Sequence, residues 1–113
     1  MHDAFNKELE KNKGNYASLS PISLIAWAAD VYPERMAVVY GEQKQTWKET
    51  YTRCRKLASA LVRLGVKQGD TVAIMAPNTP AMFEAHYGIP MAGAVINALN
   101  TRLDSGAIAF MLQ

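Results

Sequence analysis

The chain contains few of the residues that disulfide formation and metal binding usually require. Its 113 residues include one cysteine, Cys54, and two histidines, His2 and His86. A lone cysteine excludes an internal disulfide bond and a thiolate metal cluster within one chain. It also favours a reducing compartment, and the N-terminal residues lack the apolar core of a secretory signal, so the sequence predicts a cytoplasmic protein. We expect no transmembrane segment, because the longest nearly apolar run, residues 88–99, is too short to span a bilayer.

The signatures of several enzyme classes are also missing. The sequence has no Gly-rich phosphate loop of the dinucleotide or P-loop kind, no serine in a Gly-x-Ser-x-Gly turn and no carboxylates paired at an evident catalytic spacing. His86 lies in a helical pattern beside Phe83 and Tyr87, and we interpret it as a packed, hydrogen-bonded side chain. From the residues alone we therefore predict neither a catalytic group nor a metal ligand in this chain.

The charge pattern does not indicate a nucleic-acid partner. The formal net charge is only +2, and the basic cluster at residues 53–56 falls in a helical pattern, where we interpret it as a solvated helix face. Residues 1–19 are polar without a sustained apolar face and are predicted to form a surface leader.

Local signals then predict a helix and a hairpin. Ser20-Pro21 is a typical helix start, and we expect this helix to end at Tyr32-Pro33. Two short strands are predicted over residues 36–40 and 45–47, joined across a polar connector at residues 41–44 that contains a glycine.

The longest helix is predicted over residues 47–64. Thr46 and Glu49 have the spacing of a capping box, and Gly65 stands where a left-handed C-terminal cap is favoured. The expected buried stripe consists of Trp47, Tyr51, Cys54, Leu57, Ala58, Leu61 and Leu64.

The second half of the chain predicts two parallel strands with a crossover helix. Residues 71–76 and 94–98 are nearly continuous apolar runs, which are typical of parallel strands with both faces covered. Thr79 is the expected cap of the intervening helix, whose small residues form a predicted stripe against the sheet: Ala81, Ala85, Gly88 and Ala92. The fold class is therefore α/β, a parallel strand–helix–strand unit with flanking helices and a short β-hairpin.

This unit is predicted to be a partial piece of a larger domain. A doubly wound sheet needs more strands than these residues supply, and the last predicted element is an amphipathic helix that begins near Asp104-Ser105. We expect the isolated chain to self-associate, because its strands would leave an apolar sheet edge without neighbours.

Six short segments, in order over residues 21–113, resemble one enzyme family. They are Tyr32-Pro33-Glu34-Arg35 with Ala37-Val38, Thr46-Trp47, Gly69-Asp70-Thr71-Val72-Ala73, Ala76-Pro77-Asn78, Ala92-Gly93-Ala94-Val95, and Asn100-Thr101-Arg102-Leu103. The series resembles the N-terminal segment of AMP-forming acyl-CoA synthetases, which are adenylate-forming enzymes. Residues 80–86 together with residues 90–93 are most similar to members that act on short, medium-chain or aromatic acids. Residues 20–113 would then be the first part of the family's large N-terminal domain.

The resemblance implies a ligase that uses ATP, Mg²⁺ and CoA, with a small-molecule carboxylate as substrate. The carboxylate would attack the α-phosphate of ATP to give an acyl-adenylate, and the CoA thiol would then displace AMP. The family's phosphate loop, adenine-binding segment and catalytic lysine are not among these residues. We therefore expect the 113-residue chain alone to be inactive and to bind none of these cofactors.

Arg102 is the one candidate ligand contact that the resemblance implies. It follows the strand predicted at residues 94–98, and α/β proteins bind ligands outside the carboxyl ends of their strands. In similar aryl-CoA ligases an arginine here meets a phosphate of CoA, and a guanidinium can donate two hydrogen bonds to one phosphate. The alternative is a structural ion pair between Arg102 and Asp104.

Two other interpretations stay open at this stage. One is a free-standing α/β binding or interaction module that shares this segment. The other keeps the adenylate-forming chemistry but changes the acceptor, as in an adenylation domain that loads a carrier protein or in a luciferase-like oxygenase.

Overall fold

The structure is a computed structural model and describes residues 10–113. Four helices and two small sheets make up this part of the chain. The elements are α1 (Pro21–Val31), β1 (Met36–Tyr40), β2 (Gln43–Thr46), α2 (Trp47–Arg63), β3 (Thr71–Ile74), α3 (Pro80–Met91), β4 (Val95–Ala98) and α4 (Ser105–Met111). The predicted α/β class, with a hairpin and a strand–helix–strand unit, is confirmed. Of the predicted leader, residues 1–9 lie outside the described residues, and residues 10–19 are exposed and contain no helix or strand.

Strands β3 and β4 are parallel neighbours, as the two apolar runs predict. Thr71 is opposite Val95 and Ile74 is opposite Ala98. The pairing continues before the strands, where the Gly69 N–H donates to the Gly93 carbonyl oxygen at 2.9 Å. Helix α3 connects the two strands and packs on one face of the pair.

The described residues cover only that one face of the sheet, so the prediction of two covered faces is not met by this chain alone. Val72, Ile74 and Ile96 pack against a core of Ala85, Ile89 and Ala94. The side chains of Thr71, Ala73 and Val95 alternate with these and are exposed on the opposite face.

The ends of α2 are set by local signals. Thr46 and Glu49 form the predicted capping box, with the Glu49 N–H donating to the Thr46 hydroxyl oxygen at 3.2 Å. At the other end Gly65 has φ +95°, and the N–H of Val66 donates to the Leu61 carbonyl oxygen. This cap turns Val66 onto the core, so the expected burial of Leu64 is wrong: Leu64 is 82% exposed.

The predicted stripe of small residues on α3 faces the sheet only in part, because Ala85 packs with the sheet residues whereas Gly88 packs against α2. Gly88 is buried against α2, where an added Cβ would lie 2.7 Å from Leu57 Cδ2 and 3.0 Å from the Cys54 carbonyl oxygen. Ala81 is exposed, because the buried face is rotated by about one residue and consists of Pro80, Glu84, Ala85, Gly88 and Ile89.

The hairpin turn is tighter than predicted. Tyr40 pairs with Gln43, so the connector is only Gly41-Glu42 and β2 ends where α2 begins. Gly41 has φ +58°, a conformation that short hairpin turns require and that glycine adopts without steric cost.

Candidate functional site

Two loops meet at the carboxyl edge of the parallel strand pair. Residues 75–79 follow β3, and residues 99–104 follow β4. The Leu99 N–H donates to the Ile74 carbonyl oxygen at 2.9 Å, which holds the starts of the two loops together. Because this is the edge at which α/β proteins bind ligands, it is the candidate functional site.

Arg102 lies in the second of these loops and is exposed. Its backbone N–H donates to Asn100 Oδ1 at 3.0 Å, so the asparagine shapes the loop. The two elements that flank the loop are joined directly, because the Asn97 amide of β4 donates to the Met111 carbonyl oxygen at the end of α4 at 3.0 Å.

The alternative role predicted for Arg102 is not observed. Asp104 is the N-cap of α4 and accepts the Ala107 N–H at 2.9 Å. Within residues 10–113, Arg102 forms no ion pair with Asp104 or with any other carboxylate. Among the described residues, therefore, no carboxylate competes with an external anion for its guanidinium.

The first loop leads into α3 without a side-chain cap. Thr79 occupies the predicted N-cap position, but its side chain accepts no backbone N–H. The Asn78 side chain is exposed and makes no hydrogen bond to another described residue. The turn is instead shaped by the backbone, where the Thr79 N–H donates to the Pro77 carbonyl oxygen at 2.8 Å.

A cleft of about 620 Å³ separates β1 from α3 and borders the first loop. His86 is on its wall and is exposed, so the prediction of a packed histidine is wrong. The predicted hydrogen bond is present, because Nδ1 lies 2.8 Å from the Met82 carbonyl oxygen and must donate to it. The remaining lining is largely apolar and aromatic: Ala37, Val38, Val39, Tyr40, Asn78, Thr79, Pro80, Met82, Phe83 and Tyr87.

An ion pair that the sequence interpretation missed joins α2 to α3. Arg53 Nε donates to Glu84 Oε1, and this hydrogen bond raises the pKa of Arg53 above its usual value. The sequence predicts a solvated face for residues 53–56, and the Arg53 side chain is 53% exposed but also reaches the Glu84 carboxylate. The residue that could have indicated this ion pair from the sequence is Glu84. It stands four residues before Gly88 on the same face of α3, and a buried carboxylate requires a partner.

Cys54 is a buried residue of α2 and is not part of the two loops at the carboxyl edge. The side chain is fully buried, and desolvation raises the pKa of its thiol to about 11. A thiol with such a pKa is protonated at neutral pH and is a poor nucleophile. Residues 10–113 hold no group of three His, Cys, Asp or Glu side chains that could bind a metal ion, and none of their helices is long and apolar enough to cross a membrane.

The fold and its carboxyl-edge loops define a piece of an α/β ligand-binding domain. The chain belongs to the AMP-binding enzyme family, whose model matches residues 25–113. The family predicted from the six sequence segments is therefore confirmed.

Individual relatives agree with this assignment. The chain is 50% identical over 106 residues to acetate/butyrate–CoA ligase AAE7, peroxisomal, from Arabidopsis thaliana, with 94% of this chain covered and 19% of the relative. It is 45% identical over 101 residues to benzoate–CoA ligase, peroxisomal, from the same plant, which covers 89% of this chain and 17% of the relative. A solved structure of Mycobacterium tuberculosis fatty acyl CoA synthetase matches with a TM-score of 0.77 at 29% identity, over 80% of this chain and 18% of that one. The chain thus spans about a fifth of the length of these relatives.

Proposed function

We propose that the chain is the N-terminal segment of an AMP-forming acyl-CoA synthetase that activates a small carboxylic acid. The observation that carries this proposal is the 50% identity, over 94% of the chain, to a ligase named for acetate and butyrate. The similarity to a benzoate ligase extends the candidate substrates to aromatic acids.

The proposed reaction has two balanced steps. A carboxylate oxygen of the acid attacks the α-phosphorus of ATP, and pyrophosphate leaves. The CoA thiol gives its proton to solvent or a base, its sulfur attacks the acyl carbon of the adenylate, and AMP leaves with the former carboxylate oxygen.

The described residues supply part of the domain wall and not the machinery of the first step. Proteins bind Mg²⁺ at a nucleotide with one or two carboxylates together with the phosphates, and residues 10–113 hold no group of three His, Cys, Asp or Glu side chains that could bind a metal ion by itself. Bound Mg²⁺ would neutralise the phosphate charge that develops during adenylation. We assign its ligands and the ATP phosphate contacts to the rest of the protein, and expect the 113-residue chain alone to be inactive.

Arg102 is the proposed CoA contact of this segment. It is exposed in the loop after β4 and has no carboxylate partner among the described residues, so a phosphate can reach its guanidinium without breaking an ion pair. A hydrogen bond to a charged group contributes about 1.5–3 kcal/mol, which is about a tenfold or larger change in affinity.

The Arg102→Ala variant of the full-length protein tests this contact. We expect the KM for CoA to rise about tenfold while the KM for ATP and kcat stay near the wild-type values. Arg55→Ala is the matched control, because Arg55 is an exposed arginine of α2 that forms no ion pair with a described residue and lies over the Tyr51 ring. An unchanged KM for CoA in Arg102→Ala would remove the ligand role.

The activity itself is tested by incubating the full-length protein with ATP, Mg²⁺, CoA and either acetate, butyrate or benzoate. We expect stoichiometric AMP, pyrophosphate and acyl-CoA. AMP formed without acyl-CoA, but with acyl transfer to a carrier protein, would indicate the carrier-loading alternative. No adenylate with any acid would favour a non-catalytic binding module.

The domain boundary, the compartment and the association state also belong to this proposal. Residues 20–113 are proposed as the first part of the large domain, and the cytosol as the compartment; the acetate/butyrate and benzoate ligases are both named as peroxisomal. Fluorescence imaging of the full-length protein with an N-terminal tag distinguishes the two compartments.

Self-association of the isolated chain is supported by the open sheet face, on which Val95 is 56% exposed. Sedimentation at micromolar concentration should show oligomers that a Val95→Lys variant reduces. A monodisperse wild-type monomer would contradict this part of the proposal.

A further inference from the structure

Arg53 and Glu84 form the one ion pair found within residues 10–113. The Glu84 side chain is 8% exposed, whereas that of Arg53 is 53% exposed. The carboxylate is thus almost out of water, and its partner reaches it from the surface of α2. Removing one member of such a pair leaves an uncompensated buried charge, which is far more costly than losing a surface contact.

The position of the pair is informative because α3 differs from the other helices at its start. Ser20, Thr46 and Asp104 each accept a backbone N–H as the side-chain cap of α1, α2 and α4. Thr79, the N-cap of α3, accepts none. Glu84 follows Thr79 by five residues (84 − 79), so its bond to Arg53 is a polar anchor close to the uncapped end.

This uncapped end is also the end that meets the candidate site. The loop of residues 75–79 connects β3 to α3 and lies beside the loop that carries Arg102, with the Leu99–Ile74 hydrogen bond between them. The start of α3 therefore determines one side of the carboxyl edge.

We propose that Arg53 and Glu84 are positioning residues for the ligase reaction. Their ion pair fixes the start of α3, and with it the loop of residues 75–79, beside the loop of residues 99–104 that carries Arg102. This inference rests on the proposed function. Neither side chain contacts substrate. Their effect is transmitted by the first turns of α3, so it should change substrate binding more than the chemical step.

The test uses the full-length protein with the variants Glu84→Gln and Arg53→Lys. Glu84→Gln keeps the shape and removes the charge, and Arg53→Lys keeps the charge and removes the planar Nε donor. Arg63→Gln is the control, because Arg63 is an exposed residue in the last turn of α2 without an ion pair to a described residue. Hydrogen–deuterium exchange follows the amides of residues 83–87, the first turn of hydrogen-bonded amides in α3.

In Glu84→Gln we expect exchange at residues 83–87 to be about tenfold faster, with the exchange of β4 unchanged. The KM for CoA should rise about threefold to tenfold while kcat changes less than about twofold, and Arg53→Lys should be intermediate in both measurements. The Arg63→Gln control should match the wild type.

Equal acceleration of exchange throughout the protein, or wild-type exchange at residues 83–87, would overturn the anchoring role. Faster exchange with an unchanged KM for CoA would overturn the link to the reaction. A wild-type protein that makes no acyl-CoA would instead refute the proposed function and with it that link, while the exchange measurement would still decide whether the pair anchors α3.

Discussion

The contact between Gly88 and α2 leads to a quantitative prediction about packing. A Cβ at residue 88 would lie 2.7 Å from Leu57 Cδ2, 2.9 Å from Leu57 Cγ and 3.0 Å from the Cys54 carbonyl oxygen. The Leu57 side chain can rotate, but the carbonyl oxygen belongs to the backbone of α2 and can move only if the helix moves. Gly88→Ala should therefore force α2 and α3 apart.

Two opposing terms decide the magnitude. Forcing an extra methyl group into a packed contact typically costs about 1–3 kcal/mol. Alanine in a helix interior is more favourable than glycine by about 0.5–1 kcal/mol. The packing term is larger, so we expect Gly88→Ala to destabilise the α2–α3 contact by about 1–2 kcal/mol.

Amide exchange of α2 and α3 in the full-length protein measures this loss. We expect about 5- to 30-fold faster exchange in Gly88→Ala, the factor that corresponds to 1–2 kcal/mol. The control is Gly106→Ala in α4, where the added Cβ would approach only the Asp104 carboxylate, at 3.2 Å. Leu57→Ala and Gly88→Ala together should cost less than the sum of the two single changes, because two of the three close contacts of the added Cβ involve Leu57. Protection in Gly88→Ala equal to or greater than that of the wild type would refute this reasoning.

Three further perturbations have defined outcomes. Gly93→Ala should destabilise the protein by about 1–2 kcal/mol in thermal unfolding, because residue 93 has φ +80°, where L-residues are strained; an unchanged transition would contradict it. Thr46→Ala should lose about 1 kcal/mol of α2 stability, measured by exchange of its first turn, since the capping box is removed. Burial raises the pKa of the Cys54 thiol from 9.0 to about 11, so the folded state keeps this proton longer than the unfolded state. The contribution of the thiol to stability should be full below pH 9 and be lost as the pH rises to about 11. The difference in unfolding free energy between the wild type and Cys54→Ala measures this contribution, and a difference that does not change with pH would contradict the reasoning.

Features that depend on neighbouring residues were predictable from the sequence. The capping box joins Thr46 to Glu49, and the left-handed caps at Gly65 and Gly93 depend on the preceding helical turn. The parallel pairing of β3 and β4 was also predictable, because two apolar runs separated by a helical pattern have few other arrangements.

Features that depend on distant residues were not predictable from the sequence. Arg53 and Glu84 are 31 positions apart, and helical periodicity gives the buried face of α3 only to within about one residue. That error placed Ala81 inside and left Glu84 without a partner. The candidate site was located from the order of the elements, since the loop that holds Arg102 follows a parallel strand. Its ligand came from the family resemblance, because an exposed arginine alone does not specify what it binds.

The short crossover between β3 and β4 has a consequence during protein synthesis. Thr71 and Val95 are opposite each other although only 24 positions (95 − 71) separate them, so closing this loop has a small entropic cost. A nascent chain can therefore form the parallel pair soon after Ala98 has left the ribosome, while the outer hydrogen-bonding groups of both strands are still exposed. Translation speed just after this point should then affect the yield of folded protein, because those groups are open to incorrect pairing until further strands are made.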